Sequence, residues 1–255
     1  MTDAEGAVYV YGVLRAAEQE SAAATGVTDA SVRSVEHGEL AALVSDLEGG
    51  ALMAAREVRA HWRIVEGAAE AATVIPVRFG TVMASDQAVV EELLAPQAER
   101  LTALLHALAG QVQLGVKGEY EEEALLREVL REAPAVKALR ERVRTLPDAA
   151  GYYDRIRLGE LVSAEVQRRR GEDTGLALAR LGPHARATKT NEPRTASGAF
   201  DLAFLVGRDG IDPFSAAVGE LSEALGERVS IRYVGPLPPY SFVEEDIGVG
   251  DASWA

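Results

Sequence analysis

No cysteine occurs in the 255 residues. This excludes disulfides, thiolate nucleophiles, zinc ribbons and iron–sulfur clusters, and it agrees with a reducing compartment. A metal site would have to be built from histidine and carboxylate alone. The four histidines, His37, His61, His106 and His184, are too widely spread to form the close pair of a zincin helix. Neither a metal nor a cofactor is expected. No apolar run approaches the roughly 18 residues of a membrane-spanning helix. The start, MTDAEGAVYV, lacks the basic and long apolar regions of a secretory signal, so a cytoplasmic protein is expected. Cations are outnumbered, and a formal net charge of -14 opposes nucleic acid and anionic lipid surfaces alike. The expected partner is a protein, with no nucleic acid and no lipid membrane.

Signatures of catalysis are also missing. Neither G-x-x-x-x-G-K-[ST] nor G-x-G-x-x-G occurs, which removes the usual phosphate-cradling loops, and no G-x-S-x-G nucleophile elbow is present. A Ser/His/Asp set with distant members leaves no local signature. His61, beside Trp62 in a helical stretch, reads as a packed or solvated histidine rather than a general base. The acidic runs Glu121-Glu122-Glu123 and Glu244-Glu245-Asp246 read as solvated surface. No catalytic residue is assigned, and the chain reads as a non-enzyme.

What is present is a folded composition, 47% hydrophobic and 26% charged. The length exceeds one typical domain of about 100 to 150 residues. The Val- and Tyr-rich residues 7–14 predict a strand covered on both sides, residues 39–47 a second, and the Ala-rich residues 51–71 a helix with Val58, Trp62 and Val65 inward. Residues 74–82 read as a strand in which Pro76 favours an edge or a bulge. Ser85 or Asp86 can cap the next helix, which Pro96 kinks or divides and Gly110 ends. Residues 111–117 alternate as a strand with one face to water.

From Glu119 the chain becomes charged and helical, and residues 151–170 form a helix with Arg168, Arg169 and Arg170 near its C-terminal end. A hairpin from residues 184–190 and 199–206, a helix opened by Asp212-Pro213 and a strand at 229–234 follow. With one leading strand, for which 111–117 are candidates, the order is βαββαβ. The expected fold is α+β with two domains. Residues 1–118 form an N-terminal α+β domain, 119–150 a charged helical connector, 151–243 a ferredoxin-like C-terminal domain, and 244–255 a mobile acidic tail. The strand at 111–117 could belong to either domain.

Two segments stand out. Arg78 sits among apolar neighbours in VIPVRFGTV, so its guanidinium either pairs with a carboxylate or reaches an edge where it meets a partner. In VGPLPPYSF, residues 234–242, a proline-stiffened run carries Tyr240 and Phe242, which either cover the protein's own core or form a docking surface. Arg78, Tyr240 and Phe242 are therefore the candidate partner-binding residues.

VIPVRFGTVMAS at 74–85 and RYVGPLPPYSFVE at 232–244 resemble the two signature stretches of the GvpF/GvpL gas vesicle protein family. The YVYGVL opening, the helix around His61, VKGEYEEE at 116–123 and AFDLAFLV fall in matching order, so the resemblance covers about residues 7–244. It implies a gas vesicle accessory protein that assists gas vesicle assembly, a ferredoxin-related C-terminal domain and no cofactor. The implied partners are the hydrophobic shell protein, gas vesicle protein A, and other accessory proteins. The implied location is the gas vesicle, with a cytoplasmic stage before assembly. A different class of function, a small-molecule-binding or catalytic α+β domain, would require Arg78, His61 and a carboxylate to converge in one concave pocket.

Overall fold

The computed structural model describes residues 6–18, 24–47, 55–147 and 150–243. The expected acidic tail at 244–255 and the first turn of the helix expected from residue 51 lie outside them. The chain divides into two compact units, one formed by residues up to Gln113 together with those from Pro236, the other by Leu114–Gly235. Pro236 to Val243, which the sequence places with the C-terminal domain, thus pack with the first unit. The helices of the expected connector belong to the second.

In the first unit, β1 (Val8–Arg15) is buried along almost its whole length, as a Val/Tyr-rich strand covered on both sides should be. It pairs antiparallel with β3 (Leu40–Asp46), and an extra residue at Tyr11 shifts the register between Val10 and Gly12. β3 in turn pairs with β2 (Val32–His37) through a two-residue loop in which Gly38 takes φ +60°. The helix α1 (Ala55–Ala71) packs on β1. Its buried stripe is Glu57, Ala60, His61, Ile64 and Val65, so His61 faces the core and Trp62 lies at its edge.

Residues 74–82 do not form the continuous strand expected. They break into β4 (Ile75–Pro76) and β5 (Val82–Met83), both paired antiparallel with β1. Pro76 is opposite Gly12 and Val82 opposite Tyr9, so residues 77–81 bulge out against only Val10 and Tyr11. The missing N–H of Pro76 fits the place where the ladder stops. Ser85 then caps α2 (Asp86–Ala88), its Oγ accepting from the Ala88 N–H at 3.2 Å. A π-helical stretch Val89–Leu94 follows. Beyond Pro96, α3 (Ala98–Leu108) buries Leu101, Leu105 and Leu108 and packs on β1 and β3.

The second unit is built on a four-stranded sheet in the order β7-β8-β6-β9, from β6 (Gln111–Tyr120), β7 (Ala187–Asn191), β8 (Gly198–Gly207) and β9 (Val229–Leu237). Three helices, α4 (Glu122–Glu132), α5 (Pro134–Thr145) and α6 (Tyr152–Leu181), separate β6 from β7, and α7 (Ile211–Leu225) separates β8 from β9. Close packing is visible at Gly118, where an added Cβ would lie 2.6 Å from the Phe200 ring. Gln113, expected on a water-facing side, is buried.

Arg168, Arg169 and Arg170 are not at a helix end. α6 continues through Gly171 and Gly175 to Leu181, both glycines having open space where a Cβ would be. Arg169 is 3% exposed and meets Glu128 and Glu132 of α4 at 2.9 Å each. The neighbouring Arg228 reaches Glu128 at 2.9 Å and Asp173 at 2.7 Å, and the Tyr120 hydroxyl donates to Asp173 at 2.8 Å. These charges hold α4, α6 and the start of β9 together around the buried Arg169 and Asp173, while Glu128 and Glu132 keep part of their surface in water. Arg169→Met is expected to lower unfolding free energy by about 1 to 2 kcal/mol in urea titration, since the carboxylates it leaves are partly solvated and keep Arg228 and Arg131 as partners, and no measurable loss would show that the cluster does not hold the helices.

Candidate functional site

The strongest candidate site in the first unit is a buried polar relay centred on His61, which is 1% exposed. Alternation along β1 and the bulge at Tyr11 bring Tyr9 and Tyr11 together, their rings 4.9 Å apart, in one core with Ala60, Ile64 and Val65 of α1. The Tyr9 hydroxyl lies 3.0 Å from His61 Nδ1, and His61 Nε2 lies 3.2 Å from the Tyr240 hydroxyl. A neutral imidazole supplies one donor and one acceptor, so one phenol donates to it and the other accepts from it.

The Gly80 N–H donates to the Tyr9 hydroxyl at 2.9 Å, and Gly80 takes φ +90°, a conformation that favours glycine. Phe79 stands edge-on to His61 at 5.7 Å and lies 6.1 Å from Tyr9. Within the bulge, the Arg78 carbonyl accepts from the Thr81 hydroxyl at 2.8 Å and from its N–H at 3.3 Å. The bulge 77–81 is thus tied to β1 at both ends, by the Val77 N–H donating to the Tyr11 carbonyl and the Val10 N–H to the Thr81 carbonyl at 3.0 Å each, and fastened at its centre by the Gly80 amide and the Phe79 ring.

Tyr240 closes the other side. Its ring lies 4.7 Å from that of Trp62, and the Ser241 N–H donates to the Gln113 side-chain oxygen at 2.8 Å. Pro238, Pro239 and Val243 are buried around it, while Tyr240 and Phe242 are half-buried. Burial raises the phenols of Tyr9 and Tyr240 well above their ordinary range. Burial also lowers His61 from 6.5 to about 4, against the opposing effect of a backbone hydrogen bond to Val77, and the ring is neutral at pH 7.

The structure separates the three residues singled out from sequence. Arg78 is exposed, and no partner for its side chain is found among the described residues, which corrects the first of its two readings, a guanidinium paired with a carboxylate. The reason is the bulge: the chain leaves the sheet after Val77, whose N–H still donates to the Tyr11 carbonyl, so Arg78 no longer has strand neighbours to cover it. Tyr240 faces the protein's own core. Phe242 lies two residues beyond it on the same short turn, whose Phe242 N–H donates to the Pro239 carbonyl at 3.0 Å. The roles of Tyr9, Gly80 and Gln113 were missed. A tyrosine within a strand core signals an internal hydrogen-bond partner, and an isolated glycine inside a strand pattern signals a bulge.

Phe79 and Tyr240, one from each distinctive stretch, therefore meet at one imidazole. The profile of the family described as "Gas vesicle synthesis protein GvpL/GvpF" matches residues 7–244. The chain belongs to this family. It is 37% identical over 244 residues to gas vesicle protein F of Streptomyces sp., a match covering 92% of this chain and 99% of that protein. Gas vesicle protein F of Microcystis aeruginosa is 25% identical over 240 residues, covering 93% and 98%. The fold is similar to the crystal structure of the gas vesicle protein GvpF from Anabaena sp., with a TM-score of 0.84, 25% identity and coverage of 94% and 99%. GvpL/GvpF is a family of gas vesicle proteins. Among the described residues no helix of this member is long and apolar enough to cross a membrane, and no cluster of three or more potential metal ligands occurs.

The buried neutral imidazole has a pH consequence. An unfolded histidine near 6.5 takes up its proton before the folded one at about 4, so this contribution to stability is intact above about pH 6.5 and declines as pH falls through that window. At pH 4.5, relative to pH 7, wild type should lose about 2 to 3 kcal/mol more than His61→Gln in urea unfolding, whereas parallel losses would mean that His61 takes up its proton over the same pH range folded and unfolded.

Proposed function

We propose that this GvpL/GvpF protein assists gas vesicle assembly by binding the hydrophobic shell protein, gas vesicle protein A, and other accessory proteins, without catalysing a reaction. The carrying observation is the presentation of an exposed Arg78 on a bulge latched to His61, with the half-buried Phe242 turn fastened to the same ring through Tyr240. A pre-ordered surface loses little entropy on docking. An acidic binder shields an apolar subunit while repelling further copies of itself. Both ring nitrogens of His61 are engaged by tyrosines and Arg78 lies at the surface, an arrangement that supports a structural relay over a catalytic pocket.

In this reading the protein works in the cytoplasm before assembly and then at the gas vesicle. Each compact unit acts as a domain. The second is ferredoxin-like, a reading supported by its β-α-β-β-α-β order, with three helices filling the first crossover, and its strand order β7-β8-β6-β9. The surface formed by Arg78 and Phe242 meets the shell protein, with Tyr240 as the anchor that orders it.

The test is co-purification of the shell protein with wild type, Phe242→Ala and Arg78→Glu after co-expression, with folding verified by circular dichroism. Phe242→Ala should cut retention about tenfold and Arg78→Glu by less, since a desolvated ring contributes more than a rim charge. Full retention by both folded variants would remove this surface as the docking site, and failure of the wild type to retain the shell protein would remove direct binding itself.

A further inference from the structure

The second unit carries an apolar feature that the His61 relay does not explain. Helices α4, α5 and α6 border an open cleft of about 480 Å³. One wall offers Leu126 and Leu130 of α4, another Leu158 and Val162 of α6, each pair spaced four residues apart, and the buried Val129 and Val136 complete the lining. Rows of apolar side chains at this spacing form the groove into which the ridge of another helix packs. The α4 wall from Glu123 to Leu130 spans about 10 Å at 1.5 Å per residue, the length of roughly two turns of a docked helix.

The charge around this cleft is opposite to that of the chain. Arg127 and Arg140, both exposed, stand on its rim against the single acid Glu123. Lys137, three residues before Arg140 on α5, is exposed as well. Of the four cations of α5, Arg142 pairs with Asp154 of α6 and Arg144 with Glu141, so the cationic rim rests on Arg127, Lys137 and Arg140, against a net charge of -14 for the whole protein.

We propose that this cleft is a docking groove for an acidic amphipathic helix of a partner protein. Two turns of its apolar stripe lie between Leu126 and Leu130 on one side and Leu158 and Val162 on the other, and its flanking carboxylates face Arg127 and Arg140. The groove takes the hydrophobic contact and the cations select the sign of the partner.

The net charge makes the proposal testable with simple probes, because a protein of this charge would otherwise repel an acidic peptide. Two labelled synthetic amphipathic peptides share one leucine stripe and carry glutamate or lysine on the flanks, and each is titrated with the full chain by fluorescence anisotropy at low salt. The glutamate peptide should bind about tenfold more tightly, and the exposed double reversal Arg127→Glu, Arg140→Glu should invert that preference. Leu130→Ser should weaken both peptides. The proposal is overturned by equal or stronger binding of the lysine peptide to wild type, by a preference that survives the reversal, or by no binding of either peptide at about 1 mM protein. It is also overturned if sedimentation shows the cleft closed by a second copy of the chain.

Discussion

A single uncharged imidazole, placed where water does not reach, is the constraint on which the first unit depends. His61 belongs to α1, yet its two nitrogens are engaged by Tyr9, 52 residues before it, and Tyr240, 179 residues after it. A buried ring nitrogen left without a partner costs about 1 to 3 kcal/mol, a large share of the stability of a typical domain, and here the two phenols and a backbone hydrogen bond to Val77 supply the partners. From this requirement follow the neutral state of the ring, the inward position of Tyr240, and the capture of the Gly80 amide by Tyr9. Arg78 and Phe242 owe their places to groups they do not themselves touch.

The second unit is organised by a different device. Its helices α4 and α6 meet through the buried guanidinium of Arg169 rather than through leucine packing alone, and Arg228 extends the same network to the start of β9. Buried charge of this kind fixes one arrangement, because any slip of α4 along α6 would strand Arg169 without its two carboxylates. The outer side of α4 is thereby left to the cleft bordered by Leu126 and Leu130. In this GvpL/GvpF protein the two units are held by two unrelated polar networks.

Where one physical signal dominated, the sequence was readable. The Val/Tyr run of β1, the alternation of β3, the Ser85 cap and the division of the helix at Pro96 all rest on local chemistry, and each lies where its residues point. β2 escaped notice because Val32–His37 mixes Arg, Ser, Glu and His into the strand, and only its pairing with β3 makes it regular. Arg168 to Arg170 fall near a helix end only if the helix stops at residue 170, whereas it continues to Leu181 and encloses Arg169. Arg78 was misread for a related reason. A strand pattern assumes the ladder continues, and here it stops just past Pro76. The site itself was half legible, since its two stretches were conspicuous, but the histidine joining them carries no local mark of burial.

The central claim, that His61 holds the bulge, is tested most directly by native-state hydrogen exchange at the Gly80 amide, compared between wild type and Tyr240→Phe. That substitution keeps the ring and removes only the hydroxyl facing His61 Nε2. If the relay fastens the bulge, protection at Gly80 falls by about tenfold while amides in the β2–β3 hairpin keep theirs, the local loosening expected when one buried hydrogen bond is lost. Unchanged protection at Gly80, or an equal loss in both places, would contradict a relay running from Tyr240 through His61 and Tyr9 to the bulge.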